Sequence, residues 1–466
     1  MILENADILF CLGTRNMLKK LTNSVFKSEI IKSISTIASG SLIGYGLNTI
    51  LLPILSRVFS PKEMGEYDLI ISSASIYLGV LCLGMITAIM LPASEEEAKA
   101  ICKTIFTSVV VGSTLGVFVL LIIKDKYQLF EIEQSYIGAC VLLYFYLILY
   151  NAQSICYAYA NRRKKYKALF WNPIIYAISN VGLSIIFGLI GMKTFGYMLG
   201  TVCGTLLTIA FLCFHANPFT GKYSIKMVND ILKKYRSFPL IQMPSNFISI
   251  LSTQFPTQFL GRMFGSAMLG GYTMACKILS MPVSLLATPI NNVYYRTAAE
   301  KLRKKEEAGT FAFKLIKVSV NIAIVPIFIL MVWGEPICAF FLGEDWRVAG
   351  DYMGILGIYY LIYFCNTCLS GTLILVDKKK INLFSVIIKV LLNLIVFSLS
   401  AVMDWGLIKT IVIYTAEETF FQIIIMGISL YYMQYPIRKY VRFVFSYVFI
   451  LLGSYIIVQI AGGKIL

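Results

Sequence analysis

Four charged side chains lie inside long apolar runs of this chain: Lys277, Lys389, Glu417 and Glu418. A charge at the middle of a membrane helix costs about 2.5–3.5 kcal/mol on insertion scales, so such residues usually face a cavity or a partner. Lys277 could bind an anionic group, as a compact charge on a flexible stem. Lys389 could do the same, or Glu417 or Glu418 on the neighbouring run could neutralise it. The two interpretations of Lys389 do not exclude each other.

Uncharged polar residues form a second candidate set, within the apolar run that begins near residue 238. Five of them recur at helical spacing: Gln242, Ser245, Asn246, Ser249 and Ser252. They lie close to one face of a helix, and such a face should avoid lipid. They could hydrogen-bond to neighbouring helices, as small polar residues commonly do in membranes, or they could contact a hydroxylated ligand.

Two further cations belong to a short sequence that occurs twice. "RVFSPKEMGEY" begins at Arg57, and "RMFGSAMLGGY" begins 205 residues later at Arg262. Both fit the pattern R-x-F-x5-G-x-Y, and both follow a long apolar run. The two arginines could bind an anionic group at the ends of their helices, or they could snorkel to the membrane interface.

The residues of common catalytic and cofactor sites are missing. The chain has one histidine, His215, and its eleven cysteines lie almost entirely in apolar runs, where cysteine behaves as a small hydrophobe. It has no Walker-type phosphate loop. We expect no catalytic residue, no metal centre and no cofactor. The net charge of +17 does not indicate nucleic acid, because Lys and Arg collect in the cytoplasmic loops of membrane proteins.

The elements that must position the candidate residues are membrane helices. Of 466 residues, 58% are hydrophobic and 14% are charged, with a mean hydropathy of +0.77, so polar residues are too few to cover a soluble protein of this length. A membrane helix needs ~20 apolar residues. Runs of that length predict thirteen helices, near residues 33–57, 67–91, 100–123, 135–160, 168–190, 195–214, 238–261, 268–295, 311–333, 350–376, 381–402, 406–432 and 442–461.

The positive charges predict the orientation of these helices. With the N-terminus inside, the inside segments carry 30 Lys and Arg residues and the outside segments carry nine. This asymmetry predicts a multi-pass membrane protein with a cytoplasmic N-terminus. The longest predicted outside loop, residues 334–349, leaves no room for a folded domain.

The repeated sequence predicts how the helices are organised. Its two copies follow the first and the seventh helix, so the halves of the chain have the same orientation. We predict an all-α polytopic membrane protein with two six-helix lobes, residues 33–214 and 238–432, related by a pseudo-two-fold axis along the membrane normal. Residues 1–32 would form a cytoplasmic segment, residues 215–237 a cytoplasmic linker, and residues 433–466 a basic loop and an additional helix.

Two segments carry a family resemblance, "ASGSLIGYGLNTILLPILSRVFSPKEMGEYDLIISSASI" and "FPLIQMPSNFISILSTQFPTQFLGRMFGSAMLGGYTMACKILSMPVSLLATPINNVYYRTAAE". They resemble the bacterial polysaccharide exporters, the Wzx-type O-antigen flippases of the MATE-like multidrug/oligosaccharidyl-lipid/polysaccharide superfamily. The Gly-Tyr pair, Pro282 and Val293 stand where that family tends to have them. Arg296 departs from it, because a proline is common at that point, and leaves the end of the eighth helix open.

The resemblance implies a two-lobed bundle with a central cavity and a substrate of undecaprenyl-diphosphate-linked oligosaccharide, used for O-antigen or capsule. It also implies membrane lipids, a polysaccharide polymerase and chain-length machinery as partners. On this hypothesis the four candidate cations would bind the diphosphate and the polar face would bind the glycan. The two glutamates would serve ion coupling or ion pairing.

Two other functions compete with a flippase that works by alternating access. A MATE-like drug or cation antiporter would need a net negative cavity, whereas the apolar runs hold two lysines against two glutamates. A membrane-embedded glycan polymerase or ligase usually carries a long outside loop, and the sequence predicts none.

Overall fold

The computed structural model describes residues 35–123, 135–221 and 224–461, and these residues form a bundle of helices without strands. Ten helical segments in this part of the chain are long and apolar enough to cross a membrane. The α-helices are α1 Ser35–Val58, α2 Pro61–Leu81, α3 Glu95–Ile123, α4 Tyr136–Arg162, α5 Tyr166–Leu189, α6 Lys193–His215, α7 Ile225–Lys234, α8 Met243–Phe264, α9 Ser266–Leu279, α10 Thr288–Arg303, α11 Ala308–Leu342, α12 Arg347–Cys368, α13 Thr372–Leu375, α14 Lys379–Val402, α15 Leu407–Tyr432 and α16 Ile437–Ala461.

The predicted fold class, an all-α polytopic membrane protein, is confirmed. Each of the thirteen predicted runs is helical over most of its length within the described residues. The runs predicted near 67–91, 238–261 and 442–461 correspond to α2, α8 and α16, which are not among these ten segments. The predicted segment 1–32 lies outside the described residues.

Several helices extend further than the sequence predicted. A π-helical segment, Val283–Ala287, joins α9 to α10, which continues past Arg296 to Arg303. The end of the eighth predicted helix is thereby settled: Arg296 lies inside the helix, and Lys301 and Arg303 occupy its last turn, where cations favour a helix C-terminus. α11 continues to Leu342, so much of the predicted outside loop 334–349 is helical.

The connections between helices alternate between the two ends of the bundle. We call the end that holds residues 59–60 and 264–265 the repeat end, and the end that holds residues 92–94, 163–165 and 304–307 the basic end. α2, α4 and α8 therefore each have one terminus at the repeat end and the other near the basic end.

The linker helix α7 is attached to α3 at the basic end. Lys234 Nζ of α7 donates a hydrogen bond of 2.5 Å to Glu97 Oε1 of α3, and the Tyr235 hydroxyl donates to the same oxygen at 2.9 Å. The hydrogen-bonded Glu97 carboxylate raises the pKa of Lys234 above its usual range. This short amphipathic helix is thus bound to the first half of the bundle.

The two copies of the repeated sequence meet each other at the repeat end. A Cβ added to Gly65 of α2 would collide with the carbonyl of Ser266, and a Cβ added to Gly270 of α9 would collide with the carbonyl of Pro61. Gly65 and Gly270 are 205 residues apart, and so are Pro61 and Ser266. These reciprocal contacts are those that a two-fold axis between α2 and α9 produces, and they explain why both copies need a glycine at the same position.

Candidate functional site

A cavity of about 550 Å³ with a partly polar wall lies between α2, α4, α8 and the 3-10 segment Met85–Met90. We call it the inter-helix cavity. Three residues of the predicted polar face line it: Gln242, Asn246 and Ser249. The Gln242 side-chain amide donates a 2.8 Å hydrogen bond to Asn246 Oδ1, so the two side chains hold each other in place along the wall.

The opposite wall was not predicted. It brings Tyr150, Asn151 and Ser154 of α4 and Ser75 of α2 towards the α8 residues. Helical spacing in the sequence identified one polar face on α8, but it could not indicate which helix lies across from it. None of the residues that line this cavity carries a formal charge. The wall offers hydroxyl and amide groups beside apolar surface.

A turn after the end of α2 lies at the side of the cavity nearer the basic end. α2 ends at Leu81, and Gly84 follows with a φ of +65°, a conformation that glycine adopts without strain. A Cβ on Gly84 would come within 2.8 Å of the backbone nitrogen of Met243. The turn therefore allows the backbones of α2 and α8 to approach closely beside Gln242.

Lys277 does not line this cavity but pairs with Asp68. Its Nζ lies 2.8 and 3.0 Å from the two carboxylate oxygens of Asp68, and the Thr273 hydroxyl donates to the same carboxylate at 2.5 Å. The Asp68 side chain is 12% exposed and that of Lys277 is 37% exposed. The pair joins α2 to α9 on the repeat-end side of the cavity.

Asp68 is a functional candidate that our reading of the sequence missed. The predicted apolar run begins at residue 67, which puts Asp68 at a helix end, whereas α2 begins at Pro61. The signal was present in the sequence: Ser60 and Glu63 form a capping box with proline at the first helical position. Asp68 and Thr273 are also 205 residues apart, the spacing of the repeat, so their contact lies on the same two-fold axis.

The two arginines lie at the repeat end, away from the inter-helix cavity. Arg57 donates a 2.9 Å hydrogen bond to the carbonyl of Phe340, and Arg262 donates to Gln258 Oε1 at 3.3 Å. Both are exposed. The structure therefore brings neither arginine to Gln242, Asn246 or Ser249.

A buried ion pair lies between α14 and α15. Lys389 Nζ lies 3.0 Å from Glu418 Oε2; the Lys389 side chain is 16% exposed and that of Glu418 is fully buried. The carboxylate oxygens of the neighbouring Glu417 are buried and have no hydrogen-bond partner among the residues that the structure describes. One lysine therefore lies near two carboxylates, which leaves one negative charge in excess.

A metal site would require a cluster of suitable side chains. Within residues 35–123, 135–221 and 224–461, no group of three or more His, Cys, Asp or Glu residues is arranged to hold a metal ion.

The chain is similar to known proteins along most of its length. A sequence model of a family described as polysaccharide biosynthesis proteins matches residues 54–351. That range contains both copies of the repeat. The succinoglycan biosynthesis transport protein ExoT of Rhizobium meliloti is 18% identical over 318 residues, which cover 67% of this chain. The chain spans 63% of the length of this curated relative.

Two kinds of solved structure share the fold. The lipid II flippase MurJ in its inward closed conformation has a TM-score of 0.66 and 15% identity, covering 90% of this chain and 92% of that one. An outward-facing multidrug resistance MATE family transporter of the MOP superfamily has a TM-score of 0.52 and 13% identity, covering 88% and 96%. At these identities the likeness concerns the fold.

Proposed function

Because the chain belongs to the family of polysaccharide biosynthesis proteins, we propose that it is a flippase for saccharides linked to a lipid carrier. The substrate would be an undecaprenyl-diphosphate-linked oligosaccharide, moved across the bacterial plasma membrane by alternating access for O-antigen or capsule synthesis. The moving lobes would be residues 33–214 and 238–432, joined by residues 215–237. The basic end would face the cytoplasm, since Lys and Arg collect there.

The chemistry of the inter-helix cavity carries this proposal. A saccharide presents many hydroxyl groups, and the cavity offers uncharged amides and hydroxyls as hydrogen-bond partners, such as those of Gln242, Asn246 and Ser249. Ligand sites typically combine apolar walls with a few placed polar groups in about 300–1,000 Å³, and this cavity falls within that range. An organic cation would gain little there, because no carboxylate lines the wall. This disfavours a drug or cation antiporter.

The contact between α2 and α9 supplies the part that must open and close. Asp68, Thr273 and Lys277 tie the two helices together between the cavity and the repeat end. Opening towards the repeat end would separate Lys277 from Asp68. The released ammonium group could then bind the diphosphate, so pairing and substrate binding would occur in different states.

The excess carboxylate between α14 and α15 is the candidate for energy coupling. Lys389 pairs with Glu418 and leaves the carboxylate of Glu417 without a hydrogen-bond partner among the described residues, so this cluster could accept a proton or another cation. A polysaccharide polymerase and chain-length machinery would act on the product at the opposite membrane face.

The test is transport by the purified protein in liposomes, with a fluorescent undecaprenyl-diphosphate oligosaccharide as substrate. Asn246→Leu removes the amide that faces the cavity, and we expect it to reduce transport at least tenfold. Asn229→Leu makes the same chemical change on the exposed linker helix α7 and should have no effect. Equal transport by both variants would remove the inter-helix cavity from the substrate path. Transport of organic cations in place of the saccharide would favour the antiporter.

A further inference from the structure

A second cavity, of about 410 Å³, lies within the first half of the bundle between α2, α3 and α4. We call it the apolar groove. Its walls are almost wholly hydrocarbon and include Leu115, Val119, Leu143 and Leu147. Nothing in the transport scheme above uses it.

The polar groups beside this groove already have partners. The Tyr77 hydroxyl donates a 2.6 Å hydrogen bond to the carbonyl of Gly112, and Ser73 Oγ donates to the carbonyl of Leu69 at 3.0 Å. The groove therefore offers no polar side chain to a ligand, and it suits a flexible hydrocarbon chain. Its shape depends on Gly116, because a Cβ there would come within 2.6 Å of the Tyr77 ring.

Both α2 and α4 contribute residues to the groove and to the inter-helix cavity, and the two lie at successive positions along the length of α4. On α4 the groove ends at Leu147 and the inter-helix cavity begins at Tyr150, three residues or about 4.5 Å further along the helix. On α2 the groove is lined by Ser73 and Tyr77, and the inter-helix cavity is lined by Ser75 and by residues further towards the basic end, on a different side of this helix. Polar surface thus lies nearer the basic end, and apolar surface lies deeper in the bundle.

This order of surfaces matches one kind of ligand. A lipid in the leaflet at the basic end points its polar head towards that end and its hydrocarbon chain towards the middle of the membrane. We propose that the apolar groove binds the proximal part of the polyprenyl chain of the carrier lipid while the saccharide occupies the inter-helix cavity. This inference rests on the proposed function and extends it, since recognition would include the tail as well as the sugar.

Two residues of α3 provide a matched test. The side chain of Leu115 is 60% exposed at the rim of the groove, and that of Phe118, one turn further along the same helix, is 61% exposed and does not line the groove. A benzophenone amino acid at either position is irradiated in the presence of radiolabelled undecaprenyl diphosphate. We expect labelling from position 115 to exceed labelling from position 118 at least fivefold. Unlabelled undecaprenyl phosphate should abolish it, and phosphatidylglycerol should not.

Equal labelling from the two positions would overturn the proposal. Competition by phosphatidylglycerol would do the same, because ordinary membrane lipid would then fill the groove. The liposome transport assay distinguishes this outcome from an error in the proposed flippase function. In that assay Leu115→Trp should reduce transport at least fivefold, and Phe118→Trp should not. If Asn246→Leu blocks transport and Leu115→Trp does not, the proposed flippase function is supported and the proposed binding of the polyprenyl chain in the apolar groove is rejected.

Discussion

Replacing Lys277 by alanine should change which end of the bundle is closed. The substitution leaves the Asp68 carboxylate, 12% exposed, with Thr273 as its one side-chain donor among the described residues. Breaking a buried ion pair costs about 3–5 kcal/mol, and a surface pair contributes about 0–1 kcal/mol. Because Lys277 is more than a third exposed, a value of about 2 kcal/mol is reasonable. That energy corresponds to about a thirtyfold shift away from the closed α2–α9 contact.

Distance measurements between the two helices would report this shift. Lys62 and Ala267 are exposed, 205 residues apart, and lie in the first turns of α2 and α9. Spin labels at these positions, in a chain whose native cysteines have been replaced, should show a longer distance in the Lys277→Ala protein. We also expect surface glycan to be lost in a flippase-deficient strain that carries this variant at normal protein level. Lys277→Arg should keep part of the activity.

A double variant separates the two roles of the lysine. Asp68→Asn with Lys277→Gln removes both charges and can retain a hydrogen bond between α2 and α9. If Lys277 serves only to close the repeat end, the double variant should recover transport. If it also binds the diphosphate, transport should remain low while the spin-label distance returns to normal. Unchanged distances and normal surface glycan in Lys277→Ala would refute both roles.

Three further predictions concern topology, ion pairing and the repeat. Cysteines introduced at Lys164 and Lys233 should be labelled from the cytoplasm, and labelling of the second from outside would rule out lobes of equal orientation. Lys389→Ala should reduce the amount of folded protein or its transport, and adding Glu418→Gln should partly restore it; additive damage would argue against pairing. Gly270→Val should reduce the thermal stability of the purified protein, because its side chain meets the backbone of α2, and an unchanged melting temperature would contradict that contact.

Hydropathy and the repeat predicted much of the fold from sequence because each has few structural interpretations. A run of ~20 apolar residues is long enough to span a bilayer, and two copies of one loop an even number of helices apart require parallel halves. Helix ends were less well predicted. They depend on local signals such as the capping box at Ser60. Because of this capping box α2 begins at Pro61, six residues before the predicted start at residue 67, and Asp68 lies inside the helix.

The candidate site could be predicted only in part, because helical spacing describes one helix at a time. It identified Gln242, Asn246 and Ser249 as one face, and the structure places all three on the wall of one cavity. It could not show that α4 supplies the opposite wall. Nor could it show that Lys277 faces Asp68 rather than open space, since that contact joins residues more than 200 positions apart in the chain.

Asp68 also changes the balance of charges within the membrane helices, which bears on the choice between a flippase and a cation antiporter. The mid-helix positions identified from the sequence hold two lysines and two glutamates, and adding Asp68 makes the net charge of these five residues negative by one. Taken alone, that balance would favour a cation as the transported substrate. The positions of the charges argue otherwise: Asp68 is paired with Lys277, and Glu418 is paired with Lys389. The remaining carboxylate, Glu417, lies on α15, which contributes no residue to the inter-helix cavity. A negative charge held apart from a neutral polar cavity fits coupling to a proton or small cation, with an uncharged saccharide in the cavity itself.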